Sequence, residues 1–168
     1  MTTKYYGKYR GTVVNNIDPM FQGRVQVMCP KVLGLNALAW AMPCVPFAGL
    51  QVGFHFKPPI GGNIWVEFEG GDPTYPIWSG CFWGKGELPL TLPTEQIIKT
   101  LGVKLSMDSA LGITIELATP PYPIPAKVRV DATGVAINYP PCQIQVTPAM
   151  VRINGTALEI LPSGQPVI

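Results

Sequence analysis

Pro59-Ile-Gly-Gly-Asn-Ile-Trp-Val-Glu-Phe-Glu-Gly-Gly-Asp-Pro-Thr-Tyr-Pro-Ile-Trp-Ser-Gly80 is the stretch that decides the fold class. Asn63 to Glu69 alternate strictly, with Ile64, Val66 and Phe68 on one face and Asn63, Trp65, Glu67 and Glu69 on the other. A period of two marks a half-buried β-strand. Gly70-Gly71-Asp72-Pro73 stops it, because glycine accepts positive φ and proline has no N–H to give to a ladder. The apolar run Pro76 to Trp83 follows at once. The stretch therefore predicts a hairpin with a demanding turn.

Working outward, Lys8 to Val14 reads as a first strand with Tyr9, Gly11 and Val13 on one side. Asn15 to Pro19 is a turn in which Asn and Asp bond their own backbone. Gly23 to Pro30 is a second strand facing Val25, Val27 and Cys29 one way, and Leu38 to Val45 is a third, interrupted by Pro43. Gly49 to Pro59 reads as a loop carrying aromatic residues. Five short strands in about eighty residues suggest a small closed barrel, with an OB-like barrel the natural candidate.

Gly84 to Pro93 is a Gly/Pro-containing connection, and Thr94 to Thr100 has room for at most one helical turn. Seven short alternating runs follow it. Their apolar faces are Val103/Leu105/Met107, Ile113/Ile115/Leu117, Val128/Val130, Val135/Ile137, Ile144/Val146, Val151/Ile153 and Leu158/Ile160. Strands this narrow enclose no wide core alone. They fit either an elongated prism stacked between chains or a one-chain β-sandwich, and alternation permits both. The expected division is a barrel over residues 1–84, a linker over 85–95 and a needle-like β-region over 96–168.

Composition narrows the function. The chain has 168 residues, 47% hydrophobic and only 13% charged, which points to surface covered by other copies or partners. Its net charge of +2 is spread over both halves, so no basic field for nucleic acid exists. The 18 glycines and 19 prolines imply many turns and few long helices. No signal-peptide pattern and no apolar run long enough for a membrane span are read, so synthesis in the cytoplasm is expected. Cys29, Cys44, Cys81 and Cys142 are far apart and lack a Cys-x-x-Cys pair, as buried reduced thiols would.

The motifs Tyr9-Arg-Gly-Thr-Val-Val14, Asp18-Pro19, Gly23-Arg-Val-Gln-Val27 and Trp40-Ala41 occur in order. They precede Pro59-x-Gly-Gly-Asn-x-Trp-Val-Glu-Phe-Glu-x-Gly-Asp-Pro-x-x-Pro76 and Ile77-Trp-x-Gly80. Over residues 5–84 this set resembles the OB-fold domain of phage baseplate spike proteins, a group including baseplate assembly protein V and the spikes of type VI secretion. The resemblance implies an all-β chain, an OB-fold barrel followed by an intertwined trimeric β-helix or β-prism. It also implies a mechanical role: a homotrimer under the baseplate hub, assembled into a virion or tail-like particle, that meets the target membrane when the sheath contracts.

No catalytic or cofactor-binding residue is expected. Gly84–Pro93 is too short to carry an inserted lysozyme domain. Glu67 and Glu69 share a strand face near a turn, where a solvated face is the ordinary reading. The single histidine, His55, lies in the barrel half, whereas the apical metal motif of some relatives is a His-x-His pair, so no metal is expected. Trp65, Tyr75, Trp78 and Trp83 are read as a surface for the hub or a neighbouring copy. The stripes from Val103 to Ile153 are read as needle core, and Leu161, Pro162, Val167 and Ile168 as the contact for a separate PAAR-type tip protein. The competing reading is a monomeric OB-type module that stacks single-stranded nucleic acid on the same aromatics, or binds oligosaccharide.

Overall fold

The computed structural model describes residues 3–89, 91–117, 126–155, 157–160 and 166–167. The chain divides into two units, residues 1–88 and 89–168.

The first unit is built on β1 (Tyr9–Asn15), β2 (Val25–Met28), β3 (Leu38–Pro43), β6 (Asn63–Phe68) and β7 (Pro76–Cys81). These close into a barrel in the order β1-β2-β3-β7-β6. All neighbours are antiparallel except β3 and β7, which run parallel through Met42↔Ile77 and Pro43↔Trp78. The alternation read from Asn63 onward holds: Ile64, Val66 and Phe68 are buried, and with Val13, Val25, Val27, Cys29, Ala41 and Trp78 they form the core. Gly11 is part of the same logic, since a Cβ there would stand 2.8 Å from Val66 Cγ2.

Between β6 and β7 the chain makes a 3₁₀ turn, Glu69–Gly71. Gly71 has φ +75°, and a Cβ there would meet Tyr5, Tyr6 and Lys4 at 3.0–3.2 Å. The N-terminal segment is drawn across this turn by a hydrogen bond from Tyr5 N to Gly71 O of 2.8 Å. Asp72 caps the turn by accepting from Thr74 N and Thr74 Oγ1 at 3.0 and 2.7 Å, and these bonds hold its carboxyl below the usual range. The motif is a shape requirement.

Two short elements add to the sequence reading. One helical turn, α1 (Pro30–Leu33), follows β2. The aromatic loop after β3 contains a separate ribbon, β4 (Ala48–Gly49) with β5 (Val52–Gly53), that joins no other strand.

Among the described residues the second unit is one nine-stranded antiparallel sheet. Its strands are β8 (Gln96–Lys99), β9 (Val103–Asp108), β10 (Gly112–Leu117), β11 (Ala126–Asp131) and β12 (Gly134–Tyr139). They continue as β13 (Cys142–Val146), β14 (Val151–Ile153), β15 (Leu158–Ile160) and β16 (Pro166–Val167). Each strand pairs with the next in sequence. The segment 94–100, which had room for at most one helical turn, forms strand β8 instead. Its β-branched Ile97–Ile98 pair suits a pleated surface, and Ile98 sits opposite Leu105.

Polar side chains fix the turns. Asp108 accepts from Ala110 N and Leu111 N at 2.8 and 2.9 Å, and Asp131 accepts from Thr133 N at 2.8 Å and Thr133 Oγ1 at 2.6 Å. Gly134 is required because a Cβ there would fall 1.9 Å from Val146 O on the next strand. No helix among the described residues is long and apolar enough to cross a membrane.

Candidate functional site

In the C-terminal sheet the register sets apolar residues opposite apolar residues on one face, strand after strand. One ladder runs Ile98, Leu105, Ile115, Val128, Ile137, Ile144, Ile153, Leu158. A second runs Met107, Ile113, Val130, Val135, Val146, Val151, Ile160. Val103, paired with Leu117, widens the face at one end.

Exposure in this sheet is the reverse of what a folded monomer needs. Ile113 and Ile115 remain 49% and 48% exposed, and Val128, Val130, Val135, Ile137, Ile144 and Val146 are exposed too. The intervening Thr114, Glu116, Gln143 and Gln145 are half-buried. They lie on the opposite face, where charges pair both across and along strands: Lys127 Nζ on β11 to Glu116 Oε2 on β10 at 3.0 Å, and Arg129 Nε to Asp131 Oδ2 within β11 at 2.9 Å. Lys104 also bonds Glu95, which lowers the Glu95 carboxyl from its ordinary value. The polar face is finished by its own chain and the apolar face is open. Ala136, on the polar face, is the sole buried residue among the described residues of this unit.

The barrel carries two groups of surface side chains. On one wall, Arg10 lies over the rings of Trp65 and Phe82 at 5.4 and 4.8 Å, and the two rings are 4.7 Å apart. The four aromatics expected to form one contact surface are not brought together. Trp78 is in the core, 7% exposed, with its Nε1 donating to Gly23 O at 3.4 Å. This corrects its assignment as a surface residue: β7 alternates inward at Pro76 and Trp78. Tyr75 and Trp83 are exposed but flank opposite ends of β7, while Trp65 is committed to Phe82 and Arg10. Glu67 is bound by Lys8 Nζ at 2.5 Å.

The second group lies around the loops 15–24 and 44–60. Asp18 organises the first loop: its carboxylate accepts from Met20 N, Gln22 N and Arg24 N and is paired with the Arg24 guanidinium at 2.8 Å. The Arg24 pairing, chiefly, holds its carboxyl far below the usual carboxylate range, and the backbone N–H donors add to the effect. Arg24 in turn lies 5.3 Å over the Trp40 ring. Beside this loop is an open hollow of about 680 Å³, lined by Phe21, Pro43, Val45, Phe54, His55 and Trp78 among others. Phe47, Leu50, Val52 and Phe56 are exposed around it. The sequence signal was present in the aromatic loop, but nothing in its periodicity says that a ribbon displays it.

Among the described residues no cluster of three or more His, Cys, Asp or Glu side chains is placed to hold a metal. Cys29 is buried as expected, and burial pushes its thiol up. Cys44, Cys81 and Cys142 are exposed, a correction that follows from their positions at strand ends or on the open faces of strands. Leu161, Pro162 and Ile168 of the expected tip contact lie outside the described residues. Val167 falls in β16, of which the backbone alone is described, paired with Glu159.

Residues 9–83 match the family model for the type VI secretion system/phage-baseplate injector OB domain. Residues 95–159 match the model for the phage baseplate V C-terminal trimerisation domain. The chain belongs to the phage baseplate assembly protein V family. No curated protein matches it. The baseplate V match identifies the closed barrel as an OB domain and assigns the open apolar ladders to a trimerisation domain. The chain is thus a structural protein of the baseplate spike type.

Proposed function

We propose that this chain is the homotrimeric central spike of a contractile injection apparatus. Residues 1–84 form the mount under the baseplate hub, 85–95 the connection, and 96–168 a needle that is driven into the target membrane on sheath contraction. One observation carries the reading: a sheet that covers its polar face and leaves two continuous apolar ladders open. Three such sheets, ladders inward, make a closed prism. Completing the burial of one half-exposed Ile or Val contributes about 1–2 kcal/mol. With fifteen positions in the two ladders of each chain, a chain cannot leave the prism without exposing all of them, which suits an element loaded along its length.

Several charges of the barrel already have partners. Lys8, Arg10, Arg24 and Lys57 are engaged by Glu67, by Trp65 and Phe82, by Asp18 and by Asn16 O respectively. This favours protein partners over nucleic acid. The PAAR-type tip protein remains part of the proposal, at the end where β16 lies. Light scattering on the intact chain tests the reading. The expected mass is three times 18.2 kDa, and a species of one chain mass at micromolar concentration overturns it.

A further inference from the structure

The barrel's own apolar surface has a knob and a hollow side by side. The knob is the ribbon β4–β5, whose tip residue Leu50 is 94% exposed. The chain there turns through Gln51 at φ +58°. The ribbon has two residues per strand and hydrogen-bonds to no barrel strand. A ribbon so short is at best marginal in water alone. The rings around it pack on one another, Phe54 at 6.1 Å from Phe47 and 5.2 Å from Phe56, and each stays about half exposed. Phe21, across the hollow, is 96% exposed.

A buried aromatic side chain carries roughly 150–250 Å², so these rings with Leu50 and Val52 present on the order of 700 Å² of apolar surface. A monomer's largest patch is normally a few hundred Å², while each side of a standard protein interface buries about 800 Å². The patch has the size of one side of an interface. Its charge is nearly balanced, with Asp18 and Arg24 paired to each other and Lys57 donating to Asn16 O. It offers no cluster of cations for a phosphate backbone or an anionic lipid surface.

We infer that this patch is covered by a second copy of the chain: the three barrels of the trimer meet in a ring, Leu50 of each entering the hollow of the next. The inference rests on the trimeric reading. A trimerisation domain tethers three barrels at effective concentrations on the order of millimolar, so the neighbouring patch is the first apolar surface that each one meets. A protrusion and a hollow on one surface are what a head-to-tail contact needs, and such a contact closes when the rotation between copies is one third of a turn. The same closure removes the apolar surface that would otherwise join trimer to trimer.

The test uses the full chain with Cys44→Ser, Cys81→Ser, Cys142→Ser and Leu50→Cys, labelled at position 50 with a benzophenone maleimide and irradiated. A second sample carries the label through Lys31→Cys instead. The expected result is a chain-to-chain adduct of twice the monomer mass under denaturing conditions, several-fold more abundant for position 50, with the attachment mapped to residues 43–56 or 16–24. A trimer by light scattering without enriched adduct from position 50 overturns the inference and leaves the trimeric spike standing. A single-chain mass for the unlabelled parent overturns both. To guard against the label itself blocking the contact, Leu50→Asp in the otherwise unaltered chain is expected to raise binding of an apolar fluorescent dye several-fold with the mass still trimeric. Unchanged dye binding counts against the ring.

Discussion

The barrel and the C-terminal sheet are made of the same material, short Val- and Ile-rich strands alternating with polar residues, yet they dispose of it in opposite ways. In the barrel Val25, Val27, Ile64 and Val66 are fully buried, because five strands curl until the apolar face meets itself. In the sheet Ile113 and Ile115 keep the same alternation and stay half exposed. The difference is closure. Alternation fixes which side chains share a face. What covers that face depends on whether the strand order returns to its beginning, as β6 does to β1, or proceeds to a free edge, as β8 through β16 does.

The comparison breaks most sharply at Ile115. If other copies cover the ladders, Ile115→Asp buries an unpaired charge at about 3–5 kcal/mol for each copy. Light scattering should then show loss of the trimer while the tryptophan signal of the barrel persists. If the sheet faces water, the same change is nearly silent.

The counterpart in the barrel is Ile64→Ala, a core truncation expected to cost about 2–5 kcal/mol. Calorimetry should show the barrel transition falling while the mass remains trimeric. Gly71→Ala comes next, at about 1–2 kcal/mol for a left-handed non-glycine residue. The contacts of its Cβ with the Tyr5–Tyr6 segment add to that, and it should appear as a lowered barrel transition alone.

Acid affects both regions. Asp18 and Asp72 in the barrel, and Asp108, Asp131 and Glu95 in the sheet, are all held below their ordinary values. Their unfolded forms bind protons first, so the stabilisation is full above the ordinary carboxylate range and is lost as pH falls through the lower folded values. Thermal melts from pH 7 to 3 should show this loss, and Asp18→Asn should flatten the slope of the barrel transition only. The smallest effect is at the polar face: Lys127→Ala removes a solvent-screened pair and should change stability by at most about 1 kcal/mol in urea titration.

The strands of the barrel were legible because each apolar residue answers to a period of two and each turn carries Gly, Pro, Asn or Asp at the needed place. Asn15 Oδ1 accepting from Ile17 N at 2.9 Å is one such turn. The ladders were legible for the same reason. Strand β8 was not, since two isoleucines between Gln96 and Lys99 carry too little pattern and the strand exists through its pairing with β9. Trp78 misled because a large aromatic beside a turn reads equally as surface or core, and its direction is set by the parallel pairing of β7 with β3. The aromatics of 47–56 were visible as residues, but their display depends on the ribbon, a tertiary product.

The sequential order of the C-terminal sheet has a consequence for length. Each strand is bonded only to the strands before and after it in sequence, and neighbouring strands stand about 4.8 Å apart. Nine of them span roughly 38 Å from first to last. Inserting one more hairpin, strand–turn–strand–turn, would add about 10 Å while leaving every existing register untouched. The length of the sheet is therefore a countable quantity in this architecture, adjustable in whole hairpins by duplication or deletion.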